Sequence, residues 1–167
     1  MNEKERHIAA LRDVFTACDA FLARLSEAQI QAVPAPSSYS IQETVAHLRA
    51  WQQVSNARLE AAAFHKDPVY PGWLGGLSPE DEEHIDAINA RIYQAYRDLS
   101  WTETHAGWKA GFAHLIEQAE ALPAEDLLTP GRFAWLGDHP LAAVLEGTRG
   151  HHAEHLEDFL KLYPEPL

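Results

Sequence analysis

Cysteine is almost absent: Cys18 is the only one in 167 residues, so no disulfide can form within the chain and a disulfide-stapled framework is excluded. Basic residues are also scarce. Thirteen Lys and Arg stand against 25 Asp and Glu, a formal charge of -12, and the cations run from Lys4 to Lys161 without a cluster. Binding a polyanion needs clustered cations that displace its counterions, so no nucleic-acid partner is expected. Long apolar runs are missing: nothing approaches the roughly 20 residues of a membrane span, and Met1 to Arg6 has no apolar secretory core. Strand-type alternation, internal repeats and low-complexity tracts are lacking too. These absences point to a cytoplasmic protein without a membrane partner. At 46% hydrophobic and 23% charged residues, one packed domain over residues 1–167 is expected.

What is present is helical periodicity. Leu11, Phe15, Cys18, Leu22 and Leu25 recur at steps of four and three, a bundle stripe in a helix from about Glu3 to Ala28. Cys18 lies inside the stripe and reads as a core thiol. Pro34 and Pro36 end that segment, and Ser40 with Glu43 forms a capping box that starts a second helix, with Ile41, Val45, Leu48 and Leu59 on its core face and His47 and Trp51 on the flank. Lys66 to Leu77 has the proline and glycine of a loop, in which Tyr70 and Trp73 form either a lid over a pocket, the reading adopted, or a packed connection. Ser78-Pro79-Glu80-Asp81 predicts the start of the third helix, striped by Ile85, Ile88, Ile92 and Tyr96. A second capping box, Ser100 with Glu103, predicts a break and a resumption to about Leu122 through Trp108, Phe112, Leu115 and Ala119. Asp138-His139-Pro140 then caps a last helix from Leu141 to about Tyr163, ended by Pro164 and Pro166. The fold class is all-α: a four-helix bundle with the third helix interrupted.

Chemistry is concentrated in Gly150-His151-His152-Ala153-Glu154-His155. On a helix His151 and His155 stack on one face, and two imidazoles at that spacing can bind one transition metal. His152 and His155 form the competing pair, with His152 nearer the centre of the apolar face. A third nitrogen must come from elsewhere, and His47, on the flank of the second helix, is the best donor. Gly147 and Gly150 are costly in a helix, which predicts close approach of another helix or a ligand beside the histidines. His7, His84, His105 and His114 read as structural or solvated.

Three motifs carry a family resemblance: Ala46-His47-Leu48 with Trp51, then Asn89-Ala90-Arg91-Ile92-Tyr93, then Gly150 to Leu156. In that order and spacing they resemble the DinB/YfiT-like superfamily, within it the DfsB/ClbS branch, over about Ser38 to Leu160. The resemblance implies a four-helix bundle, often a homodimer, whose divalent metal is bound by His47, His151 and His155, with His152 at a position where relatives often carry a large aromatic. It also implies thiol-dependent transferases, isomerases and a genotoxin hydrolase as relatives.

The leading expectation is a divalent-metal enzyme, with zinc or nickel activating water or a thiol against a small, toxic or electrophilic substrate. Glu154 or Glu43 would move a proton or orient a ligand there, although either residue can simply face solvent. The alternative is a non-catalytic bundle that sequesters a small molecule in a pocket lined by Trp51, Trp73, Trp108 and Trp135.

Overall fold

Helix starts in this chain are written in paired side chains. In the computed structural model, which describes residues 1–164, helix α1 (Glu3–Ala23) begins at Asn2 with Glu5, α2 (Glu27–Gln31) at Ser26 with Gln29, and α3 (Ile41–Ala63) at Ser40 with Glu43. Helix α4 (Ile85–Tyr96) has no side-chain cap, whereas α5 (Trp101–Ala121) begins at Ser100 with Glu103. In each capping box the first side chain accepts a backbone N–H three residues on and the third returns the favour, satisfying donors that have no carbonyl partner. The short α6 (Ala124–Leu128) and the long α7 (Ala142–Leu162) complete the set. Among the described residues there is no strand, and no helix is long and apolar enough to cross a membrane.

Helices α1, α3, α5 and α7 form a four-helix bundle in which α3 lies against α5 and α7, and α1 against α7 and α5. Its core contains Leu11, Cys18, Leu48, Trp108, Phe112, Leu115, Leu145 and Phe159, all buried. The α3–α5 approach is close because α5 carries glycine there. A Cβ at Gly111 would sit 2.8 Å from the Gln52 side-chain oxygen, and one at Gly107 would overlap the Arg49 guanidinium. Helix α4 packs on the outer side of α3, and Ala46, Ala50, Val54, Ile88, Ile92 and Tyr96 form a second, smaller core between them.

Several expectations change. The third helix is interrupted as expected at 97–100, but its first half starts at Ile85, not at Ser78: Pro79 and Glu80 form a turn and 82–84 a single 3-10 turn, where Asp81 caps the N–H of Glu83. The first helix stops at Ala23 and resumes as α2. Helix α7 starts without a side-chain cap from Asp138, and of the two prolines expected to end it, Pro166 lies outside the described residues. The aromatics of 66–77 are a packed connection and not a lid: Tyr70, Trp73 and Leu77 lie against the second core, Trp73 Nε1 donates to Gln53 Oε1 at 2.9 Å, and Arg91 donates to the Leu74 carbonyl at 3.0 Å. Among the described residues, and apart from their chain neighbours and the backbone of their own helix, Gly147 and Gly150 have no heavy atom within 4 Å of where a Cβ would stand. The close approach expected beside them belongs instead to Gly107 and Gly111.

Candidate metal centre

His47 sits on α3 one turn after Glu43, where the helix turns from its bundle face toward α4 and α7. His151 and His155 are one turn apart on α7, on the side facing α3. Their Nε2 atoms converge: His47 to His151 is 2.9 Å and His151 to His155 is 3.2 Å, and the three residues offer ligand atoms all within 4.8 Å of one another. Two nitrogens bound to one ion at about 2.1 Å stand about 3.0 Å apart at a right angle and about 3.4 Å at the tetrahedral angle. The donor types, and the His47–His151 and His151–His155 spacings, therefore fit a divalent transition metal.

The electrostatics favour the neutral rings such an ion needs. Burial, reinforced by the neighbouring imidazoles, pushes His47 down to about 3; burial and then His155 push His151 down to about 4. Burial also lowers His155, against an opposing pull from Asp158 and Glu154.

His152 faces the other way. It is 1% exposed, its Nδ1 donates to the Thr148 carbonyl at 2.8 Å, and its Nε2 accepts the indole N–H of Trp108 at 3.1 Å with the Gln52 amide at the same distance. With both ring nitrogens engaged inside the core, it cannot replace His151 in the trio. Burial is also the main reason His152 is pushed down to about 3. An unfolded histidine takes its proton near pH 6.5, so between about 6.5 and 3 the unfolded chain binds the extra proton and stability falls as pH falls. At about 1.4 kcal/mol per pH unit, this ring alone removes about 2 kcal/mol between pH 7 and pH 5. Urea unfolding of metal-free protein at the two pH values checks this. The decline is expected to be smaller by about that amount in His152→Phe, and an equal decline contradicts it.

An open cleft of about 160 Å³ runs beside the trio, with His47 and His155 in its wall. Helix α3 contributes Glu43 and Ala46, α4 contributes Asn89, Ile92, Tyr93 and Tyr96, and Tyr39 and Arg97 also line it. Glu43 is fixed by its capping role: its Oε2 accepts the Ser40 N–H at 2.7 Å and the Ser40 hydroxyl at 2.9 Å. Glu154 is exposed and does not line the cleft, so of the two acids singled out by sequence only Glu43 belongs there. The tryptophan pocket of the alternative reading does not form. Trp108 is fully buried in the main core, Trp135 stacks on Phe133 at 5.6 Å, and Trp51 and Trp73 pack against the second core. Two of the other histidines are tied to structure: His105 stacks between Trp101 and Trp108 and pairs with Asp19 at 3.0 Å, and His84 Nδ1 accepts the Ser78 N–H.

A family model described as the DinB superfamily matches residues 8–159. The chain belongs to the DinB superfamily. Among solved structures, this DinB protein is similar to the sibling lethal factor precursor DfsB, at 17% identity, 99% coverage of both chains and a TM-score of 0.78. It is also similar to the colibactin self-resistance protein ClbS in complex with a double-stranded DNA, at 15% identity, 98% coverage of this chain, 97% of that one and a TM-score of 0.80. An uncharacterised protein from Clostridium difficile 630 superposes with a TM-score of 0.81 at 12% identity, covering 100% of this chain and 99% of that one. At such identities the likeness speaks for the fold, which is the one the three motifs of the DfsB/ClbS branch implied. No curated protein matches the sequence. Sequence alone did not point to Tyr39 and Arg97 as cleft residues. Asn89 and Tyr93 stood inside a resemblance motif, and Tyr96 read as a core residue because its ring does pack against α3.

Proposed function

We propose that this DinB protein is a divalent-metal-dependent enzyme, a hydrolase or thiol-dependent transferase, that acts on a small, toxic or electrophilic molecule in a single domain over residues 1–167. One observation carries the reading: three imidazole nitrogens converge at metal-ligand spacing beside an open cleft. An ion such as zinc or nickel, held by His47, His151 and His155, supplies a Lewis acid that brings water or a thiol to its nucleophilic form near neutral pH.

The chain's own residues do the rest. Neutral rings offer their lone pairs without first releasing a proton. Glu43, held by Ser40 through Oε2 one turn before His47, would take the proton of the nucleophile on its other carboxylate oxygen. Ala46 and Ile92 give the cleft an apolar wall for the body of the substrate. A binding protein without turnover is the weaker alternative, because the four tryptophans on which it rested do not meet in one pocket. We place the protein in the cytoplasm as a homodimer. Nucleic acid is not among its proposed partners, since 25 acidic against 13 basic residues oppose a polyanion. The direct test is metal analysis of protein purified without a histidine tag, followed by zinc titration. One ion per chain is expected, and neither native metal nor zinc uptake would overturn the reading.

A further inference from the structure

The polar side chains of the cleft are not equally available. Gln42 donates to the Leu99 carbonyl at 2.8 Å, the Thr44 hydroxyl donates to the Ser40 carbonyl at 3.0 Å, and Glu43 is bound by Ser40. Arg97 donates to Gln94 and lies 3.6 Å from Asp98, while Tyr39 and Tyr93 stand at the exposed rim. Asn89 differs. The indole N–H of Trp51 lies 3.2 Å from Asn89 Oδ1. Because an indole N–H can only donate, the amide oxygen must be the atom that faces it. The amide nitrogen is thereby turned away from Trp51; among the described residues it has no hydrogen-bond partner, and Asn89 is one of the residues that line the cleft. Trp51 also meets the His47 ring edge-on at 6.5 Å, so one indole fixes Asn89 in relation to the histidine trio.

We propose that Asn89 orients the ligand, and that the cleft selects neutral small molecules whose apolar, unsaturated body carries a carbonyl-type hydrogen-bond acceptor. This rests on the reading above that the cleft is where the small molecule binds. The amide hydrogens take the acceptor, while Ala46, Ile92 and the rings of Tyr93 and Tyr96 take the flat apolar body. A neutral donor, fixed in place before the ligand arrives, recognises a carbonyl without needing a charge on it. The chain's net charge of -12 disfavours anions as the preferred class.

The test uses a matched pair of probes, acetophenone and α-methylstyrene, in which a methylene replaces the carbonyl oxygen. Both are titrated by ligand-detected NMR into metal-free protein. Acetophenone is expected to bind wild type about tenfold more tightly, the scale of one well-placed hydrogen bond. Asn89→Asp keeps an oxygen for Trp51 but has no amide hydrogens. It is expected to bring the ratio of the two affinities to one or below, and circular dichroism is expected to show the helices intact. Equal affinities in wild type, a preference that survives in Asn89→Asp, or no binding of either probe would overturn the proposal. Zinc titration of the same samples separates the two readings: a chain that takes no zinc sinks the metalloenzyme, whereas the probe comparison is read without metal.

Discussion

Replacing His47 with alanine is expected to lower zinc affinity at least about a hundredfold while leaving the helices in place. Perturbing a group that merely supports a metal ligand costs roughly 10 to 100-fold, and His47 is a proposed ligand, the one α3 contributes. The remaining pair, His151 and His155, would hold the ion from one helix only. His155→Ala is expected to have the same effect, and the double variant should cost little more than either single one, because the ligands act as a set. Competition against a chromophoric chelator measures the affinity, and circular dichroism checks the fold. His47 is half-buried, is neutral at pH 7 and, among the described residues, meets polar groups of another helix only in the rings of His151 and His155. Its loss therefore removes little packing from the metal-free protein. Wild-type zinc affinity in His47→Ala would show that the convergence of nitrogens has no metal-binding role.

Trp108→Ala is expected to be the most destabilising single change considered, at about 4 kcal/mol, within the usual range for deleting a buried tryptophan. The indole is 0% exposed. Its ring lies 5.2 Å from that of Phe15 and 6.2 Å from that of Phe112, and its N–H is the donor to His152 Nε2. Truncation thus opens a cavity and leaves a buried acceptor short of a partner, which adds its own desolvation cost. Against a typical total of about 5–15 kcal/mol, such a loss leaves a marginal bundle. Trp108→Phe separates the contributions, keeping most of the packing and removing only the N–H, so a loss of about 1–2 kcal/mol is expected. Urea unfolding at pH 7 measures both. A loss below about 1 kcal/mol for Trp108→Ala would mean that the core around His152 is far more tolerant than its packing indicates.

The parts of this molecule that were legible in its sequence are those governed by local rules. Ser40 with Glu43 and Ser100 with Glu103 are capping boxes whatever the helices later pack against, and both start helices where the spacing put them. The four-residue step from His151 to His155 was likewise enough to put both rings on one face. What failed needed knowledge of neighbours. Gly147 and Gly150 look like contact points only if another helix crosses there, and the crossing helix meets Gly107 and Gly111 instead. Tyr70 and Trp73 resemble a lid until α4 is seen to need an apolar cover at that point. The cleft was illegible for the same reason. It exists because α4 docks on α3, which no periodicity in either segment specifies. Ser78-Pro79 misled through a strong local signal, since the chain spends those residues on a turn before the helix begins.

The His47–His151 pairing spans 104 residues, and that separation has a biosynthetic meaning. A ribosome adding about 5–20 residues per second presents α3 several seconds before α7 exists, and two of the three nitrogens are on α7. A chain that stops early, or one whose last helix has not docked, therefore carries a cleft wall with a solitary imidazole in it. Completion of the trio thus marks the point at which α7 has been made and has docked on α3.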